Sequence, residues 1–150
     1  MEETKQNNKA KTSNLLSSFD NFHKMMSKRI MVVDDEEFCI STMQIILQLA
    51  GVDTSMQVDF CISGEEALSC FTKAYANGFK YKLILTDFSM PVMDGIEATK
   101  LIRQHLSNTS EPNSNQPTII GITGHVQETF KAQGLKAGMD DILSKPVNLA

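Results

Sequence analysis

Five short apolar runs alternate with stretches of helical spacing along this chain. The runs are Arg29-Ile30-Met31-Val32-Val33, Ser55 to Cys61, Leu83-Ile84-Leu85, Thr118 to Thr123 and Asp141 to Ser144. Between them, Cys39, Met43, Ile46, Leu47 and Ala50 recur at helical spacing before Gly51. Ser63 to Ala76 predicts a second helix, capped by Ser63 with Glu66 completing a capping box, and ended by Gly78. Ile96 to about Leu106 predicts a third, with Ala98, Leu101 and Ile102 inward. About Val126 to Ala137, closed by Gly138, predicts a fourth. Strands alternating with helices imply a doubly wound α/β sheet with a largely parallel core. Right-handed crossovers then place helices on both faces.

The third run shows what such a sheet would carry. It leads through Thr86 to Asp87, and Met90-Pro91 prevents the strand from continuing. Asp94-Gly95 opens the next helix. In parallel α/β sheets the residues just past the strands' carboxyl ends line the ligand crevice. The other runs deliver Asp34 and Asp35, Thr123 and Lys145 to the same edge. Taken singly, these residues have ordinary readings: an acidic first helical turn, a capping aspartate, a strand threonine, a surface lysine. Their joint occurrence at four strand ends favours a site.

Three crowded carboxylates need a compensating charge. A hard divalent cation with oxygen ligands supplies it, and Mg²⁺ suits a few carboxylates with room left for a phosphate oxygen. Lys145 adds an ammonium and Thr123 a hydroxyl. Together they form a cage for phosphoryl oxygens, and phosphoryl transfer chiefly needs positioning and charge neutralisation. Asp87 is the candidate nucleophile, with Asp34 and Asp35 holding the metal.

The rest of the sequence narrows the setting. The net charge of −4 argues against a general nucleic-acid binder. No apolar run approaches the length of a membrane span, and the N-terminus lacks a signal peptide's apolar core. The three cysteines, Cys39, Cys61 and Cys70, lack metal or disulfide spacing and read as reduced thiols of a cytoplasmic protein. Residues 1–27 form a separate region: a polar, disorder-prone tail to about residue 14, then an amphipathic stretch with Leu15, Leu16, Phe19, Phe22, Met25 and Met26 three and four apart. The globular domain is expected over 28–150. Ser107 to Pro117 is a Ser/Asn/Pro-rich surface loop.

With Asp34-Asp35, Thr86-Asp87, Met90-Pro91-Val92-Met93-Asp94-Gly95, Thr123 and Lys145-Pro146 in place, the chain resembles the receiver domain of two-component response regulators, those of hybrid histidine kinases in particular. The match spans about Arg29 to Val147. The resemblance implies a flavodoxin-like five-stranded parallel sheet of order 2-1-3-4-5. It implies that Asp87 accepts a phosphoryl group from a phosphohistidine on a histidine kinase or histidine phosphotransfer protein. Asp34, Asp35, Asp87 and the Ser89 backbone carbonyl would bind Mg²⁺. Thr123 and Lys145 would be the switch and phosphoryl-binding residues, and the bond before Pro146 would be cis. Ser89 and His125 would tune dephosphorylation. It implies a phosphoacceptor rather than a turnover enzyme, without nucleic-acid or membrane contact of its own, cytoplasmic, free or tethered within a larger hybrid kinase. Two departures stand out. Ile142 occupies the position where the family usually has an aromatic. The final helix expected after Lys145-Pro146 has only Val147 to Ala150 in its place, so it is expected to be missing.

Competing readings fit less well. An aspartate-nucleophile phosphatase would have an aspartate where Ser89 stands. A flavodoxin-like cofactor binder would need a Gly- or Ser/Thr-rich phosphate loop in place of Asp34-Asp35-Glu36-Glu37. A receiver-like module that is never phosphorylated would not need the intact set of five residues.

Overall fold

Strands β1 (Ile30–Val33), β2 (Val58–Cys61), β3 (Leu83–Asp87), β4 (Thr118–Thr123) and β5 (Asp141–Ser144) form one sheet in the order β2-β1-β3-β4-β5. All four pairings are parallel. The structure is a computed structural model and describes residues 17–19, 29–110, 112, 115–125 and 127–147. Four long helices connect the strands: α1 (Glu37–Leu49), α2 (Gly64–Ala76), α3 (Gly95–Asn108) and α4 (Glu128–Ala137). The expected order and the alternation of strand and helix are therefore both present. Most of the amphipathic stretch from Leu15 to Met26 lies outside the described residues; within it Ser17, Ser18 and Phe19 are helical.

Successive strand residues point to opposite faces, and here both faces are apolar, as in parallel sheets covered on both sides. Met31, Val33, Ile84 and Ile119 enter the larger cluster with Phe71 of α2 and Ile102 and Leu106 of α3. Burying each large apolar side chain stabilises the fold by about 1.5–3 kcal/mol. Val32, Leu85 and Ile122 enter a smaller cluster with Met43 and Leu47 of α1.

Local departures from the sequence reading have identifiable causes. Ser55 does not begin the second strand. Asp53 accepts hydrogen bonds from the Ser55 and Met56 N–H groups at 3.1 and 3.3 Å and from the Ser55 hydroxyl at 2.7 Å. That cap nucleates a helical turn over Thr54–Gln57, and the strand starts only at Val58. Ser63 caps α2 through the Glu66 N–H, but the Glu66 carboxylate reaches back to the Ile62 N–H, one residue before the position of a standard capping box. Helix α3 runs two residues past Leu106, and its buried stripe is Ala98, Thr99, Ile102 and Leu106, with Leu101 half-buried. Helix α4 begins at Glu128, with Gln127 at its N-cap, close to the expected start at about residue 126.

Candidate functional site

Register brings the strand ends together. Val33 of β1 pairs with Thr86 of β3, so Asp34 and Asp87 leave adjacent strands at one level. Thr123 pairs with Ser144, which places Lys145 beside the end of β4. The approach of α3 to this edge requires a glycine. A Cβ on Gly95 would lie 2.0 Å from the Asp87 carbonyl oxygen. Asp94 caps that helix, accepting from the Glu97 N–H at 2.8 Å, and the Gly95 N–H donates to the Phe88 carbonyl at 3.0 Å. The capping task thus falls to Asp94 and leaves the Asp87 carboxylate for the crevice.

Lys145 is shared between two carboxylates. Its Nζ donates to Asp34 Oδ2 at 2.9 Å and pairs with Asp87 Oδ1 at 3.2 Å. Asp34 uses its other oxygen to accept from the Glu36 N–H at 2.9 Å. Asp34, Asp35 and Asp87 each present a carboxylate oxygen within 4.8 Å of the others, with Asp35 exposed and the other two buried. Burial alone would depress the Lys145 ammonium. Its bond to Asp34 and the charges of Asp87 and Asp34 more than reverse that and hold it above the ordinary lysine value. Asp87 behaves differently. Burial, and then the charge of Asp34, push its carboxyl above the ordinary value, and Lys145 pulls the other way without cancelling them. Among the described residues, one ammonium therefore leaves a three-carboxylate cluster with excess negative charge.

That donor set fits a hard divalent cation: all oxygen, several carboxylates, and one edge open to solvent at Asp35. Ser89 is exposed, and it lines a cleft with Asp35, Pro91, Asp94, Phe130 and Gln133. Thr123 is buried, and its hydroxyl is engaged within its own loop. It accepts from the His125 N–H at 3.1 Å and reaches the His125 carbonyl at 3.3 Å. His125 itself is exposed. The Lys145–Pro146 peptide bond is cis. Ile142 is buried in the larger cluster with Phe88. The site thus gathers Asp34, Asp35, Asp87 and Lys145 closely and keeps Thr123 in its loop.

Cys39 was legible only as a helix-face residue, yet it touches the site. The Lys145 ammonium lies 3.5 Å from its sulfur. Burial, followed by the Asp34 charge, raises the Cys39 pKa, so the thiol stays neutral beside the ion pair. Helical spacing puts Cys39 on the inner side of α1, but only the return of the chain at Lys145 makes the contact.

Residues 30–150 match the model of the response regulator receiver domain. The chain belongs to that family. Hybrid signal transduction histidine kinase L of Dictyostelium discoideum is 33% identical over 122 residues, covering 81% of this chain and 7% of the kinase. This receiver therefore spans a small fraction of the length of such relatives. The receiver domain of the histidine kinase CKI1 from Arabidopsis thaliana, complexed with Mg²⁺, is 32% identical with a TM-score of 0.68, over 81% of this chain and 85% of that one. The receiver domain of Ssk1 in a co-crystal with the histidine phosphotransfer protein Ypd1, both from Saccharomyces cerevisiae, gives a TM-score of 0.66 at 26% identity, over 82% of this chain and 81% of that one. The order of the sheet and the family agree, and this receiver is a module of two-component signalling. Among the described residues, no helix is long and apolar enough to cross a membrane.

Proposed function

We propose that Asp87 is the phosphoacceptor of this receiver and takes its phosphoryl group from a phosphohistidine on a histidine kinase or histidine phosphotransfer protein. The observation that carries this reading is the cluster of Asp34, Asp35 and Asp87, two of which, Asp34 and Asp87, share the Lys145 ammonium. An Asp87 carboxylate oxygen forms the new P–O bond while the P–N bond of the phosphohistidine breaks, and the departing imidazole keeps the electron pair and takes up a proton. Asp34, Asp35 and Asp87, with the Ser89 carbonyl, would hold Mg²⁺, which when bound neutralises charge on the phosphoryl oxygens. Lys145 exchanges its bond to Asp87 for one to a phosphoryl oxygen and keeps Asp34 as its anchor. Thr123 releases His125 and donates its hydroxyl to a second phosphoryl oxygen, which draws the β4–α4 loop toward the site. The result is a conformational signal rather than a released product, so the domain acts as a phosphoacceptor and not as a turnover enzyme.

Incubation with acetyl phosphate and Mg²⁺ followed by intact-mass measurement tests the assignment. The expected result is a gain of one phosphoryl group in the wild type and none in Asp87→Asn or in excess EDTA. An adduct retained in Asp87→Asn, or mapped to Ser89 or His125, overturns it.

A further inference from the structure

The two ends of helix α4 are held very differently. At the amino end, every residue from Gln127 to Gln133 is exposed, and the first buried one in the helix is Gly134. The N-cap residue, Gln127, makes no side-chain capping bond. The carboxyl end is pinned. Gly138 closes the helix in the left-handed region, at φ 111°, and its carbonyl accepts from Arg103 Nε of α3 at 3.0 Å. A Cβ on Gly138 would lie 2.7 Å from Arg103 Cγ, so the arginine stem lies directly against that turn.

Between these ends the helix rests on one ring. Phe88, the residue after Asp87, is 4% exposed. Its backbone is fixed: the N–H donates to the Ile122 carbonyl at 3.1 Å, and the carbonyl accepts from the Gly95 N–H at 3.0 Å. Its ring lies between β4 and α4. A Cβ on Gly121 would collide with Phe88 Cε2, and one on Gly134 would lie 2.8 Å from Phe88 Cζ. Neither glycine is at positive φ, so the backbone does not demand it there. Glycine inside a strand or helix is otherwise unfavourable. The two glycines provide clearance for the ring.

The exposed half of α4 borders open space. A cleft of about 520 Å³ separates Phe130 and Gln133 of α4 from Met90, Pro91 and Ile96, and Phe88 lines it too. Phe130 is 40% exposed there.

We propose that α4 is a lever: pinned at Gly138, it pivots on the Phe88 ring and closes over this cleft when Asp87 is phosphorylated. The proposal rests on the phosphoacceptor reading above. Asp87 pairs with Ile122, so a phosphoryl group on Asp87 pulls Thr123 toward β3. That pull draws the amino end of α4 in the direction that narrows the cleft. Closure brings Phe130 onto Met90 and Ile96, and the apolar surface removed from water favours the closed form. The contact at the pivot permits the motion. Interdigitated side chains would lock the helix in place, whereas Gly134 presents no Cβ to the ring.

The chain contains no tryptophan, so Phe130→Trp supplies a single fluorophore at the free half of the lever. This chain is treated with acetyl phosphate and Mg²⁺, the adduct is read by intact mass, and acrylamide quenching is measured per phosphorylated molecule. Phosphorylation should lower the quenching constant several-fold. Gly134→Ala wedges a methyl group against the ring and should remove most of that fall. Phe88→Leu takes away the fulcrum and should do the same, and either variant suffices if the other fails to fold. The double variant, in which the methyl group fills room left by the ring, should regain part of the response. A purely structural role for the ring would shift quenching equally before and after phosphorylation. An adduct that forms without a change in quenching, or a fall that survives in the single variants, overturns the proposal. So does a double variant that responds no better than either single one. A wild-type chain that takes no adduct overturns the phosphoacceptor reading first, and the lever with it.

Discussion

The two edges of this sheet treat charge in opposite ways. At the amino edge, Arg103 of α3 is saturated. Its guanidinium donates to the Gly138 carbonyl at 3.0 Å, to Gln116 Oε1 and the Pro117 carbonyl at 3.0 Å, and to Asp140 at 2.9 Å. Asp140 in turn accepts from the Ile119 N–H at 2.8 Å. One cation meets one carboxylate and three neutral acceptors, and the network ties α3 to the segments that lead into β4 and β5. At the carboxyl edge, among the described residues, one ammonium pairs with two of a cluster of three carboxylates, and Asp87 keeps a raised pKa despite its partner. The saturated edge holds the fold together. The undersupplied edge stores a demand for positive charge, and that demand is the basis of the chemistry proposed for it.

The contrast can be broken at either end. The largest effect expected is on phosphorylation: Asp87→Asn should abolish the adduct from acetyl phosphate, while Arg103→Ala should leave its yield intact. A comparable loss in both variants would mean that the two edges are not separable. Next comes stability. Arg103→Ala leaves the Gly138 and Pro117 carbonyls without this donor, while the half-exposed Asp140 keeps its bond from the Ile119 N–H, and it should cost about 1–2 kcal/mol in urea unfolding. A loss well below that would mean the amino-edge network is ornamental.

A smaller effect is expected on the lifetime of the phosphoryl group. If Ser89 and His125 flank the attacking water, as the resemblance implies, the short serine side chain orients it poorly, so Ser89→Asn should shorten the half-life a few-fold and His125→Ala should lengthen it. An unchanged half-life in Ser89→Asn rejects the positioning argument. The smallest effect is a pH dependence. An acid whose folded pKa lies above its unfolded value binds its proton more tightly in the fold. Asp87 therefore stabilises the fold at low pH in metal-free buffer, and that contribution fades as pH rises through its raised pKa. Asp87→Asn should flatten this part of the stability profile; an identical slope in both proteins would argue that the raised pKa is not felt.

The strand ends were legible because a parallel sheet lines them up. Once Val33, Leu85, Thr123 and Ser144 were read as strand residues, Asp34, Asp87 and Lys145 had to share an edge. The order of the strands was not legible from alternation, which is indifferent to which strand lies beside which; it came from the resemblance. Side-chain orientation was also out of reach. Thr123 could be placed at the site, but its engagement with His125 depends on the path of the β4–α4 loop. Cys39 could be placed on α1, but its contact with Lys145 joins residues far apart in sequence. The helical turn at Thr54–Gln57 was missed because the Asp53 cap, a local hydrogen-bonding device, overrode an apolar pattern that suggested strand.

The central claim is that the carboxyl edge is short of positive charge until a divalent cation arrives. The thermal midpoint of the wild type and of Asp87→Asn, followed through a Mg²⁺ titration at neutral pH, tests it most directly. Without metal, Asp87→Asn should melt higher than the wild type, because it removes a carboxylate that the fold holds at a cost. Added Mg²⁺ should raise the wild-type midpoint by binding the folded state, and should raise that of the variant far less. Equal responses in the two proteins, or a variant that melts lower than the wild type without metal, would contradict the account.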